Sequence, residues 1–141
     1  MFIPLWWAEM GMLLRISRDE WVERFFSDGR YYTSLRRRWE KGLKAFFLKK
    51  TSVGDSVIGY GVLDGFMSRE GWLAAGGKPY DEHPWNTVLI FKHLVRFPRP
   101  VPVKDLGLDE RLRGNRLHGY RIGDSLSDRI LELAGYEKVN P

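Results

Sequence analysis

Trp21, Val22, Phe25 and Phe26 gather on one side of a 3.6-residue period within SRDEWVERFFSDG, and polar residues fill the other side. The spacing predicts a helix over 17–29 with that apolar face in the core. Ser17 stands where an N-cap belongs, and Glu20, three residues on, completes a capping box. Gly29 supplies the stop. Before this helix, MFIPLWW and MLLRI read as extended, and Pro4 puts a strand edge or loop early. After it, Leu35, Trp39 and Leu43 recur every four residues, which predicts a short helical stretch weakened by Gly42.

The period then changes. AFFLKK and SVIGYGVLDGF read as strands joined by the turn TSVGD, antiparallel because the connection is short. Gly59 and Gly61 interrupt the second strand; their uses there are a sharp bend, a bulge, or the close approach of another group to the backbone, a ligand included. MSREGWLAAGGKPYDEHPW is a long connection of a kind that often binds something. NTVLIFKHLVRF predicts a long strand ended by PRPVP, with Phe91, His93, Val95 and Phe97 alternating against Ile90, Lys92, Leu94 and Arg96. VKDLGLDERLRGN is irregular and RLHGYRI a short strand. GDSLSDRILELAG is a second capped helix, from Asp124 or Ser125 to Gly135. No repeat, low-complexity tract or linker divides the chain, so one α+β domain over 1–141 is expected.

Composition narrows the chemistry. There is no cysteine, which excludes disulfides and thiolate metal sites. The apolar start carries Glu9 and lacks a basic leader, and no apolar run reaches membrane-spanning length; a soluble cytoplasmic protein is the expectation. Aromatics are 14% of the chain with six tryptophans, more than one core needs. Charge is placed unevenly. Arg30, Arg36, Arg37, Arg38, Lys41, Lys44, Lys49 and Lys50 face only Glu40 within residues 30–50, a net of +7 against +5 for the whole chain. A field concentrated in this way attracts polyanions, unless acidic neighbours neutralise it in the fold.

Catalytic signatures are missing. His83, His93 and His118 lack metal-ligand spacing, no nucleophile elbow occurs, and AAGGKP lacks the second half of a phosphate loop. Asp81–Glu82 and Asp109–Glu110 read as solvated loop carboxylates. Two segments interleave arginine with aromatics: YYTSLRRRW and RLHGYRI. Arginine offers a planar fork to phosphate or a base edge, and Trp, Tyr or His offers a stacking face. Such a pairing suits an unpaired or flipped base, since stacked bases hide their faces.

The order of these pieces resembles the PUA-like superfamily, closest to its EVE and ASCH branches. The residues that carry the likeness are Gly54, Asp55 and Tyr60 in the turn and strand VGDSVIGYG, then Phe97, Pro100, Val101, Val103 and Leu106 in FPRPVPVKDL, and NRLHGYRI at 115–122. It covers about residues 1–136, with GYGVLDG and Gly119-Tyr120 as departures. The resemblance implies a small twisted β-barrel with flanking helices and a cleft for nucleic acid or a modified base. It implies a non-catalytic RNA- or single-strand-binding domain without cofactor or metal. Arg36, Arg37, Arg38, Lys41 and Lys44 would contact phosphates. Trp39 or Tyr120 would stack, Arg116 and Arg121 would meet base edges, and Tyr60 and His118 would line the cleft. An alternative is a small hydrolase of a modified nucleoside, because some ASCH-type proteins use a Lys, a Thr and a Glu; Lys49 or Lys50 and Thr51 would fill the first two roles. A third reading is a protein-interaction module anchored by Trp7 or Trp72.

Overall fold

The structure, a computed structural model, describes residues 11–78, 84–108, 112 and 114–136. Its strands are β1 (Gly11–Arg15), β2 (Arg30–Thr33), β3 (Lys44–Thr51), β4 (Gly54–Ser68), β5 (Thr87–Pro102) and β6 (Arg121–Ile122). Its helices are α1 (Asp19–Asp28), α2 (Arg69–Ala74) and α3 (Asp124–Leu133). The strands form one mixed sheet in the order β2-β5-β4-β3-β1-β6, with β1 and β3 parallel and every other neighbouring pair antiparallel. The sheet curls into a half-barrel, the α+β architecture expected from the sequence.

Period-two alternation distributes the core to both faces of the sheet. Leu14, Ala45, Phe47 and Leu63 pack under Val22 and Phe25 of α1, while Leu13, Phe46, Leu48 and Val57 pack with Ile130 of α3 and Ala134 at its C-cap. Each of the larger fully buried side chains contributes about 1.5–3 kcal/mol.

α1 buries Val22 and Phe25 and ends at Gly29, whose φ of 72° lets its N–H reach the Phe25 carbonyl at 2.7 Å. Its start differs from the expected capping box. Arg18, not Ser17, occupies the N-cap and makes no side-chain cap bond; Asp19 and Glu20 sit in the first turn, where the helix dipole favours negative charge. Leu35, Trp39 and Leu43 do not form a helix. Residues 34–40 are irregular, and the four-residue recurrence marks where that chain dips toward the α1-side core, with Trp39 buried and Leu35 and Leu43 packed on it. The long connection after β4 contains α2, whose N-cap Ser68 accepts from the Gly71 N–H at 3.0 Å. Of RLHGYRI, only Arg121 and Ile122 are strand.

β5 departs from its predicted pattern in two ways. Its alternation breaks at His93 (φ 52°), where the register passes from Val62↔Lys92 to Tyr60↔Val95, three steps on β5 against two on β4. Phe91 and Leu94 therefore face α1, whereas Val95 and Phe97 join the opposite core. The strand also runs through the prolines to Pro102 instead of ending at them. Pro98 and Pro100 are tolerated because the register jumps from Gly59↔Arg96 to Val57↔Val101, leaving both outside the paired ladder. Bulges of this kind increase strand twist, which helps curl the sheet.

Gly59 is the close approach anticipated for a strand glycine, but the approaching group is α1. A Cβ there would lie 2.5 Å from the Phe26 ring and 2.7 Å from the Val95 carbonyl oxygen. Gly59→Ala is expected to destabilise the fold by about 1–3 kcal/mol through overpacking. Gly65→Ala, where a Cβ meets nothing within 4 Å, is expected to leave stability within about 0.5 kcal/mol. Urea unfolding of the two variants measures the contrast.

Candidate functional site

Among the described residues the sheet does not close on itself by a strand ladder. Where its curl brings β2 near the end of β1, the Tyr31 hydroxyl donates to the Arg15 carbonyl at 2.5 Å. Arg15 holds the neighbourhood from its other atoms as well. Its guanidinium grips Asp55 bidentately, with both N···O distances 2.8 Å, and a third bond reaches the Gly114 carbonyl at 2.9 Å. The Arg15 amide donates to Nδ1 of His118 at 3.0 Å. His118 reaches this position because Gly119 (φ 78°) turns the chain, with its N–H on the Leu13 carbonyl at 2.7 Å and Leu35 packed against its α-carbon.

A pocket of about 140 Å³ opens at this seam. The end of β1 and the turn after it contribute Arg15, Ile16 and Ser17; α1 contributes Trp21, Arg24 and Phe25. The β2 segment contributes Arg30 through Ser34, and His118 completes the wall. Trp21 carries the Arg18 guanidinium 5.0 Å from its ring centroid, and Tyr32 meets Trp85 edge to face at 5.0 Å.

Electrostatics set what the pocket presents. Because Nδ1 of His118 accepts a backbone N–H, the neutral ring carries its proton on Nε2. Burial first, then the charges of Arg15 and Arg37, push the His118 pKa down. Burial raises both phenols, Tyr31 strongly. Hydrogen bonds from Arg15 lower the Asp55 pKa, and the same bonds raise that of Arg15. At neutral pH the wall therefore combines cationic guanidinium groups with uncharged aromatic donors. Arg15 Nε is buried with no hydrogen-bond partner among the described residues.

Of the site residues expected from the sequence, His118 alone lines this pocket. Arg36, Arg37 and Trp39, three of the expected residues, together border a separate, more open depression with Leu35, Asn86 and Thr87. Trp39 is only 8% exposed and packs in the core, so little of its ring is presented at that depression. Tyr60 is half-buried 5.1 Å from Phe46, on the core face away from α1. Arg38 lies 3.9 Å from Glu40 and Lys44 3.6 Å from Asp124, while Lys41 is exposed. Arg116 and Tyr120 are exposed on the segment that carries His118, and Arg121 is half-buried in β6. Trp7 lies outside the described residues. Arg15, Trp21, Arg24 and Arg30 were not anticipated as site residues; the available signal was the arginine beside the tyrosine pair in RYYT.

No family profile and no curated protein matches the sequence. Solved structures do. The ASCH protein of Zymomonas mobilis superposes with a TM-score of 0.64 at 12% identity, covering 86% of this chain and 93% of that one. Protein Atu2648 of Agrobacterium tumefaciens superposes with a TM-score of 0.55 at 17% identity, covering 88% and 92%. The fold is the PUA-like fold of ASCH domains, in agreement with the resemblance read from the sequence. Among the described residues no helix is long and apolar enough to cross a membrane, and no three His, Asp or Glu side chains gather as metal ligands.

The lowered His118 pKa has a consequence for stability. The unfolded chain takes up this proton first on acidification, near the ordinary value of about 6.5. The stabilisation is thus fully present above that value and is lost as pH falls through it toward the folded pKa. The urea midpoint is expected to fall between pH 7.5 and 5.5, and His118→Asn to flatten that fall.

Proposed function

We propose that this protein binds single-stranded nucleic acid and takes one unpaired or modified base into the seam pocket between Arg15, Tyr31 and His118. The observation that carries this reading is the pocket itself. Its volume of about 140 Å³ is close to the ~150 Å³ cavity that accepts a single benzene ring. Aromatic walls supply stacking, and the neutral His118 ring, with its proton on Nε2, suits an acceptor atom of a base edge. A duplex base is closed to such a pocket until it is flipped out, so the single strand is the preferred ligand.

Arg24 and Arg30 stand at the pocket, and Arg36, Arg37, Arg38, Lys41 and Lys44 supply the wider positive surface. Surface ion pairs such as Lys44 with Asp124 are weak and give way to phosphate. Tyr120, Arg116 and Arg121 extend the surface along the segment carrying His118. The hydrolase reading lacks comparable support. Lys49 is paired with Asp19 at 3.1 Å, Thr51 bonds Gly54 within the hairpin at 2.8 Å, and neither lines the pocket.

Fluorescence-anisotropy titration with a short single-stranded RNA at several salt concentrations, with duplex DNA in parallel, tests the proposal. Single-strand preference and a steep salt dependence are expected. Replacing Arg36, Arg37 and Arg38 together by alanine should lower the slope by about 0.7 for each phosphate no longer neutralised. Tyr32→Ala should weaken binding by about 1–3 kcal/mol, the worth of one stacked base, at an unchanged slope. Absence of binding at low salt rejects the function; normal affinity in Tyr32→Ala rejects the pocket as the base site.

A further inference from the structure

Arg30 and Tyr32 form the boundary between the base pocket and a second, wider cleft of about 570 Å³ on their other side. Its far wall is built from Trp72 within α2 and from Gly76, Gly77 and Lys78 after it. The construction is specific. Gly77 packs so closely on the indole that a Cβ there would fall 2.3 Å from a ring carbon, and Trp72 Nε1 donates to the Lys78 carbonyl at 3.3 Å. The Arg30 guanidinium lies 4.9 Å from the Trp72 ring centroid. Trp72 is therefore a support for Arg30 and not a free-standing anchor for a protein partner. Stacking restrains the guanidinium, which also hydrogen-bonds to the Tyr32 side chain, and leaves further N–H groups of a planar fork that suits phosphate.

The charges on this cleft are Arg30 and Lys78 against Asp28. Asp28 accepts the Arg30 backbone N–H at 2.9 Å, which ties that carboxylate oxygen to the local turn. A base seated in the seam pocket must have its sugar–phosphate chain leave by an open side. The cleft shares Arg30 with the pocket and carries a second cation at Lys78, so it fits an anionic chain continuous with that base.

We propose that this cleft holds the phosphodiester next to the captured base, with Arg30 forking onto it and Lys78 flanking it. The inference rests on the base-pocket reading and adds the path of the strand. Lys78→Ala, at an exposed position, is the variant to test, with Lys78→Glu as a second. Lys104→Ala, an exposed lysine on the turn after β5, controls for the general field of the protein. In anisotropy titrations with the same short single-stranded RNA, Lys78→Ala is expected to weaken binding several-fold and lower the salt slope by about 0.7. Lys78→Glu should weaken it further, and Lys104→Ala should change neither quantity.

Wild-type binding with unchanged affinity and slope in both Lys78 variants would overturn the strand path while leaving the base pocket standing. Equal losses in Lys78→Ala and Lys104→Ala would overturn it too, by showing a diffuse charge effect. If the wild type fails to bind at low salt, the base pocket and the strand path fall together.

Discussion

Arg15 bears the closure of this half-barrel. Its carbonyl receives Tyr31 from the far edge of the sheet, its amide holds His118, and its guanidinium fixes the β4 hairpin through Asp55 and the 114–118 turn through Gly114. Three stretches of chain meet on one residue. Hydrogen bonds to charged groups contribute about 1.5–3 kcal/mol, and the half-buried setting of the Arg15–Asp55 pair limits screening by salt. A fully closed barrel would satisfy the seam with a strand ladder and leave no room there. One phenol bridging the gap keeps the edges together and leaves the space beside it open, so stability and the pocket come from the same local solution.

The elements legible in the sequence are those whose determinants are local. α1 announces itself through four apolar positions in period and a glycine stop, and the β3–β4 hairpin through a short turn that forces antiparallel pairing. The illegible elements depend on distant partners. Leu35, Trp39 and Leu43 mimic a helix only because an irregular segment returns to the core at similar intervals. β5 survives its prolines because the register with β4 skips them, and no property of PRPVP on its own reveals that skip. The helical cap failed for a subtler reason, since Ser17 lines the pocket instead of turning to the helix.

The site was less legible than the fold. The resemblance pointed to the right architecture, yet Tyr60 serves the α3-side core and Asp55 serves Arg15. Charge density along the chain overstates the unpaired charge of residues 30–50, because Lys44 and Lys49 lie within ion-pair distance of Asp124 and Asp19, acids far away in sequence. The pocket draws on β1, α1, β2 and a turn far downstream, each with one or a few residues that are unremarkable alone. From RLHGYRI, His118 lines the pocket with an imidazole whose tautomer is set by a backbone N–H.

That imidazole bonds to a residue 103 positions earlier in the chain. Contacts so distant in sequence form late, after the loop between them has been closed. During synthesis, β1, α1 and β2 emerge first, and a nascent chain already displays its arginines and tyrosines. The fourth wall of the pocket arrives only when the chain has been made as far as His118, 103 positions after Arg15. A chain made only that far thus carries the basic and aromatic side chains of three walls without an enclosed cavity, and the cavity is a property of the completed fold.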